Sequence, residues 1–355
     1  MDVQKQQRAC GCSPDAAAPV CSCKGNAIPS QEIRVTTSTI TTANRVDHFL
    51  ARWGVRRGNH RVEPGLYRIG NPTPDSPVFA SANYTLSFDA LRSALNGIDG
   101  YIIVLDTKGI NVWCAAGKGT FGTEELVRQI ERSDLAGIVG HKKIILPQLG
   151  GPGVSWPEVL RRTGFRVEYG PVRACDLPEY LKSHTATPEM RRVTFPLRDR
   201  MVLIPVELIL TLLPLIAAVF GLWFLAGPAA SLAAITAVVA GTVLFPILLP
   251  VLPTHDFSTK GLFLGFLAAL PFAFLWGGAP GLPLWAQAAG AITPLLIMPP
   301  VTAYLALNFT GSTTFTSRTG VKKEIFRYIP VMVLMAISGT ILGIALGLNR
   351  LMGWI

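Results

Sequence analysis

The stretch Asn111-Val112-Trp113-Cys114-Ala115-Ala116-Gly117-Lys118-Gly119-Thr120-Phe121-Gly122 organises the first half of the chain. It follows the apolar run Tyr101-Ile102-Ile103-Val104-Leu105, closed by Asp106, Lys108 and Gly109, which predicts a buried strand ending in a turn. A helical pattern begins at Thr123. Cys114 therefore sits between one Trp and small residues just beyond a strand end, where α/β sheets place their ligands. By residue type alone, such a cysteine reads as a small buried hydrophobe.

Gly117, Gly119 and Gly122 also spell G-x-G-x-x-G before a helix, which suggests a dinucleotide site with phosphate at the helix start. Two features weigh against it. The glycines lie well beyond the strand instead of in its first turn, and Glu124 and Glu125 put negative charge where a pyrophosphate would sit.

Outward from this stretch, strands are expected at Val78–Tyr84, Tyr101–Leu105, Lys143–Pro147 and Phe165–Tyr169. Helices are expected at Phe88–Leu95, from an N-cap at Thr123 to Arg132, at Trp156–Arg162 and at Leu177–Lys182. This alternation implies a mostly parallel, Rossmann-like α/β sheet. Pro64-Gly65-Leu66-Tyr67 and Asn71-Pro72-Thr73-Pro74 read as turn material, and Asp47–Trp53 as a helix ending at Gly54. The basic cluster Arg52, Arg56, Arg57, His60 and Arg61 reads as a solvated face, or as one that meets a cofactor's polar tail or an acidic partner. His48 and His60 have no second ligand at metal spacing, and Cys175 is expected to be structural.

A chain of 355 residues holds two domains. Its mean hydropathy of +0.40, with only 15% charged residues, is too high for a soluble protein throughout. The charge is concentrated before Met201, so the expected division is a tail (1–34), a soluble domain (35–183), a linker (184–200) and an all-α membrane domain (201–355). Spans are expected at about 201–226, 229–252, 261–279, 283–307 and 328–348, kinked at prolines such as Pro205, Pro214, Pro246, Pro271 and Pro294. Glu207 is the only acid within a span, near a helix start, where it either reaches the interface or serves transport. The first residues, Met-Asp-Val-Gln-Lys-Gln-Gln-Arg, contain no apolar run and predict no secretory signal, so the soluble domain is expected in the cytoplasm and its cysteines reduced. Arg191, Arg192, Arg198 and Arg200 before the first span, and Arg318, Lys322, Lys323 and Arg327 before the fifth, should also be cytoplasmic. The C-terminus of a multi-pass protein of the cell inner membrane then lies outside. Membrane topology accounts for the net charge of +10 better than nucleic acid does. In the tail, Cys10, Cys12, Cys21 and Cys23 form two Cys-x-Cys pairs that are either solvated thiols or ligands for a soft metal.

Asn111-Val112-Trp113-Cys114-Ala115-Ala116-Gly117-Lys118 resembles the cap-helix signature of the mercury-methylating corrinoid protein family, HgcA. Pro64–Tyr67, Ser81–Asp89, His141–Gly150 and Gly170–Ala174 resemble blocks of the same family. A weaker similarity, over about Ser81 to Leu181, reaches the corrinoid domain of the corrinoid iron-sulfur protein of acetyl-CoA synthesis. Cys114 is where this chain departs from the latter and agrees with the former.

These resemblances imply a cytoplasmic domain that binds a cobalamin-type corrinoid, with Ser81, Asn83, Ser87 and Ala174 lining the corrin or its tail beside the cap residues Asn111 to Lys118. They imply Cys114, as thiolate, as the lower axial ligand of cobalt. They also imply a methyltransferase cycle in which Co(I) takes a methyl group from a methyl-folate-dependent donor and passes it to a Hg(II)-thiolate substrate. The implied electron source is a small ferredoxin with two 4Fe-4S clusters. The competing class is a membrane protein whose soluble domain binds a nucleotide through the glycine string and regulates transport. A carrier of one-carbon metabolism with an acceptor other than mercury is a further alternative.

Overall fold

The computed structural model describes residues 32–56, 58–311, 313 and 318–353. The four tail cysteines and Arg57 lie outside the described residues. The first part is a six-stranded sheet built from β1 (Arg34–Thr36), β2 (Gly65–Ile69), β3 (Val78–Ala82), β4 (Gly100–Leu105), β5 (Lys143–Leu146) and β6 (Arg166–Tyr169), in the order β1-β2-β4-β3-β5-β6. Every neighbouring pair is parallel except β2 with β4. β4 is buried at all six positions. That suits a strand covered on both faces, whose residues run apolar without alternation.

Helices cover both faces. Helices α1 (Thr42–Arg52) and α2 (Thr85–Ala94) precede β4, whereas α3 (Val112–Lys118), α4 (Thr123–Arg132), α5 (Leu135–Ile138) and α6 (Trp156–Thr163) follow it. One core layer joins Leu66, Ile103 and Leu105 of the sheet to Ala115 and Ala116 of α3, Leu126 and Ile130 of α4 and Val159 of α6. The opposite layer joins Tyr67, Phe79 and Val104 to Phe88 and Leu91 of α2, to Leu177 and Tyr180 of α7 (Leu177–Ser183), and to Met190 of α8 (Pro188–Arg191). Each fully buried Leu, Ile or Phe contributes roughly 1.5–3 kcal/mol, so burial in these two layers is what holds the helices on the sheet.

Two expectations change here. Gly65–Ile69 is a strand, not a turn. Its side chains do alternate, Leu66 to one layer and Tyr67 and Ile69 to the other, but both layers are buried and the alternation leaves no polar-apolar signature. Thr123 is also not the N-cap of α4. Gly122 holds that position, and the Thr123 hydroxyl accepts from the Ser155 backbone N–H at 2.8 Å.

β3 and β5 meet at a single residue pair, Phe79 with Ile145. The sheet is therefore thinly paired along the seam between them.

The second part is helical. After α9 (Leu197–Met201) come α10 (Ile204–Ala226), α11 (Pro228–Val239), α12 (Phe245–Leu248), α13 (Phe257–Gly277), α14 (Leu284–Asn308) and α15 (Arg318–Leu351). Among the described residues, five helical stretches are long and apolar enough to cross a membrane: Leu197–Ala226, Pro228–Leu248, Phe257–Gly277, Leu284–Gly311 and Thr319–Leu351. Residues Ala240–Leu244 form a π-helical turn just before Pro246, where a proline cannot supply its backbone donor. Small residues bring α13 and α14 together: a Cβ at Gly265 would lie 2.5 Å from Pro299 Cα. The stretch between the two parts is itself structured, carrying α8 and α9. Arg200, buried, donates to the carbonyls of Pro246 and Ile247 at 2.8 and 2.7 Å, and Arg173 pairs with Asp199 at 2.7 Å.

Candidate functional site

Asn83, immediately past β3, builds the platform under α3. Its Oδ1 accepts from the backbone N–H of Thr107 (3.1 Å) and of Gly109 (3.0 Å) and lies 2.9 Å from the Thr107 hydroxyl, while its Nδ2 donates to Asp106 at 3.2 Å. Glu125 of α4 accepts from the Asp106 backbone N–H at 2.8 Å and from Gln129, and pairs with Arg128. The chain leaves β4 through Lys108 and Gly109, both left-handed (φ 59° and 71°), and reaches Asn111. Asn111 is the N-cap of α3, its side chain accepting from the Cys114 backbone N–H at 2.9 Å.

Seven residues are too few for a helix that stands alone, so packing must hold α3. Ala115 and Ala116 face the core, against Phe121. The tight loop Gln148–Gly153 closes on the same side: a Cβ at Gly153 would fall 2.1 Å from the Phe121 carbonyl oxygen and 3.0 Å from Ala116 Cα. Gly119 ends α3 in the left-handed region (φ 83°) and Gly122 opens α4. The G-x-G-x-x-G string is thus a helix-to-helix connector. It does not form the strand-to-helix turn that a dinucleotide pyrophosphate requires.

The outer side of α3 meets the helical part. Trp113 Nε1–H donates to the Thr313 carbonyl at 3.1 Å, and the Cys114 thiol donates to the Gly311 carbonyl at 3.6 Å.

Between α2, α3 and the C-terminal ends of β3 and β5 lies a cavity of about 310 Å³. Phe79 and Ile145, the seam residues, line it, and the Gly170-Pro171 turn and Leu177 close it. Its polar groups include Ser81, Ser87 and Asn111, an apolar slot with a few directional contacts. Of the residues singled out from the sequence, Ser81, Ser87, Asn111, Val112, Trp113 and Ala174 line this cavity. Asn83 does not line it but shapes the loop beside it; Ala115 and Ala116 turn to the core, and Gly117 and Lys118 to the surface. Cys114 is half-buried on the side of α3 that faces Gly311.

Phe79, Ile145, Pro147 and Leu177 went unnamed because apolar residues at strand ends look like ordinary core. Gly311 and Thr313 had no local signal at all. Cys175 lies at the surface in the short turn Ala174–Asp176, where desolvation and then the Asp176 carboxylate push its thiol above the ordinary value. A thiol held protonated is a poor metal ligand. Among the described residues no cluster of three or more His, Cys, Asp or Glu is placed to hold a metal ion.

This arrangement sits within a recognisable domain. Residues 56–171 match the family model of the CO dehydrogenase/acetyl-CoA synthase delta subunit. The chain is also 34% identical over 128 residues to the acetyl-CoA decarbonylase/synthase complex subunit gamma of Methanopyrus kandleri, covering 36% of this chain and 27% of that protein. The Archaeoglobus fulgidus subunit gamma is 31% identical over 128 residues, covering 35% and 26%. Subunit gamma 2 of Methanosarcina mazei is 30% identical over 127 residues, covering 35% and 27%. The chain spans about a quarter of the length of these curated relatives. The matched region ends before the helical part and contains the whole platform, α3 and the Gly170-Pro171 turn. The comparisons thus support the similarity to the acetyl-CoA system; they do not single out the mercury-methylating family.

Proposed function

We propose that the chain is a corrinoid-dependent methyl carrier tethered to a membrane, and that Hg(II) bound by thiolates is its methyl acceptor. The observation that carries the corrinoid reading is the apolar slot at the thinly paired β3–β5 seam, lined by Asn111, Val112 and Trp113 of the α3 segment, whose next residue, Cys114, is the one soft donor on that helix. We read the slot as a place for the nucleotide tail of a cobalamin-type corrinoid: its lining is mostly apolar, and it offers Ser81, Ser87 and Asn111 as directional partners. When bound, such a cofactor supplies a cobalt able to accept and release a methyl group.

The chain's own residues do the rest. Asn83 and Glu125 hold the loop that presents α3, and Asn111 keeps the first turn of α3 formed under Cys114. The positive end of that turn favours the thiolate, and a soft metal binding the sulfur would displace the thiol proton to solvent. Gly117, exposed and with open space where a Cβ would stand, adds no side chain to the last turn of α3, where a large planar group would need room. The Gly311 carbonyl now facing the sulfur has to be given up for Cys114 to reach a metal. Electrons are assigned to a small ferredoxin with two 4Fe-4S clusters and the methyl group to a methyl-folate-dependent donor, both on the strength of the sequence resemblance.

The test uses the full chain purified from cells supplied with a corrinoid. Bound corrinoid should appear in the visible spectrum. Cys114→Ala and Cys114→Ser should both shift the spectrum of the oxidised form and abolish mercury methylation, a hydroxyl being a poor substitute for a soft donor. An unchanged spectrum together with retained methylation in Cys114→Ala would remove the ligand role. The second reading, a carrier serving an acceptor other than mercury, is favoured by the match to acetyl-CoA decarbonylase/synthase subunits. It predicts corrinoid loading and methyl turnover without methylmercury.

A further inference from the structure

Helix α1 is built the wrong way round for a helix at the surface of a soluble domain. Val46, Phe49, Leu50 and Trp53 follow the i, i+3, i+4, i+7 spacing of a core-facing stripe. Yet they are exposed, Phe49 to 58% and Val46 to 53%. The opposite face carries the polar contacts that anchor the helix. His48 meets Asp89 of α2 at 2.7 Å, Asp47 meets the buried His60 at 2.7 Å, and the buried Arg92 donates to Asn44 at 2.9 Å. These bonds fix the roll of α1, so the apolar stripe cannot turn inward.

Three further observations say what covers the stripe. Arg45 and Arg52 flank it on one side at helical spacing, and Arg56 follows the helix end; all three are exposed. Phe49 and Trp53 pack with their rings tilted and their centroids 5.6 Å apart, a paired aromatic surface whose Trp is a residue type enriched at headgroup level. Directly after Trp53 the chain touches the first membrane-length helix: a Cβ at Gly54 would lie 3.2 Å from Val206 Cγ2, in the first turn of α10. The exposed stripe is therefore continuous with the point where α10 begins.

We propose that α1 lies in the headgroup region of the bilayer leaflet facing the sheet domain. Its stripe reaches the acyl boundary, and Arg45, Arg52 and Arg56 bind anionic lipid phosphates. The inference rests on α10 being a span. α1 then gives the sheet domain a second membrane attachment beside its covalent one, and holds α3 at a set height against Gly311 and Thr313.

The experiment places p-benzoylphenylalanine at position 49 of the full chain in nanodiscs of phosphatidylcholine with phosphatidylglycerol, followed by irradiation and mass spectrometry. The same label at Leu210 of α10, exposed in the span, serves as the lipid-facing reference; a label at Trp156 of α6, by the opposite sheet edge, serves as the aqueous one. Lipid adducts at position 49 should match those at 210 and be absent at 156. Leaving out phosphatidylglycerol, or replacing Arg45, Arg52 and Arg56 by Glu, should cut the adducts at 49 by about fivefold or more and leave those at 210 unchanged. Adducts at 49 that join a second copy or residues 1–31 instead of lipid would overturn the proposal, as would a yield indifferent to lipid charge. Absence of lipid adducts at 210 would instead undo the reading of α10 as a span.

Discussion

Replacing Asn83 by Ala tests whether the platform under α3 is held by one side chain. The substitution leaves the backbone N–H groups of Thr107 and Gly109 without their acceptor; Thr107 is fully buried and Gly109 half-buried. A buried donor left unsatisfied costs about 1–3 kcal/mol. The Thr107 hydroxyl adds nothing to the loss, because it keeps the Ile110 carbonyl at 2.7 Å. The lost donation to the half-buried Asp106 adds a smaller amount. With water reaching the partly open end of the loop, the expected loss is about 3 kcal/mol, or about 6–12 °C in the midpoint of a domain of this size. The assay is thermal unfolding of the full chain in detergent, followed through the transition of the sheet domain. Asn83→Asp retains the acceptor but sets a buried carboxylate about where the amide nitrogen stood, 3.2 Å from that of Asp106, so like-charge repulsion should hold it below wild type as well. Corrinoid loading should fall in both variants. A loss below about 0.5 kcal/mol for Asn83→Ala, the size of an ordinary surface change, would refute the platform argument.

Other consequences can be checked separately. Gly153→Ala should drive its new methyl into the Phe121 carbonyl and the back of α3; overpacking of this kind costs about 1–3 kcal/mol, visible as a midpoint several degrees lower in the same unfolding assay. A cytoplasm-dependent reporter fused after Ile355 should be inactive if the basic clusters Arg191 to Arg200 and Lys322 to Arg327 face the cytoplasm across five spans, and activity there would reverse the assigned orientation. Changing Cys10, Cys12, Cys21 and Cys23 together to Ser should lower mercury methylation modestly at most, because a tethered thiol can only raise the local Hg(II) concentration; complete loss with normal corrinoid loading would give these cysteines an essential role.

Much of the architecture was legible locally. The apolar runs of β3, β4 and β5 announce themselves, as do the alternating β6, the amphipathic α4 and α6 and five stretches of membrane length. β2 was obscured because its Pro-Gly start imitates a turn and its two faces are equally buried. The antiparallel β2–β4 pairing depends on which edge a short strand joins, and no single segment encodes that. At the site, Asn111 was readable as part of a cap segment, and its capping bond to Cys114 follows from its residue type. The role of Asn83 was not readable. An Asn at a strand end is compatible with touching a ligand or holding a loop, and only the positions of Thr107 and Gly109 decide between them. The glycine string was readable as something other than a dinucleotide site from its spacing and from Glu124 and Glu125, but its actual duty was not: Gly119 and Gly122 are needed for a left-handed helix end and a close approach, where a Cβ at Gly122 would lie 2.6 Å from the Gly119 carbonyl oxygen.

The contact between α3 and the helical part, some two hundred residues away in sequence, bears most directly on how the site works. In the geometry described, Cys114 is a thiol donating to Gly311, and a donating thiol keeps its proton. A metal ligand must be a thiolate. On the proposed function these are two mutually exclusive states of one sulfur, so cofactor ligation and release of the Gly311 contact are a single event, accompanied by loss of one proton. Trp113, whose indole N–H holds Thr313 next to it, then contributes to the balance between the two states. Whatever shifts the end of α14 relative to the sheet domain also shifts that balance, because differential contact with two states is what lets one site bias another. The membrane-length helices are in this respect part of the site's energetics as well as its anchor, which accounts for α3 being packed on one side by the sheet core and on the other by residues that no local pattern connects to it.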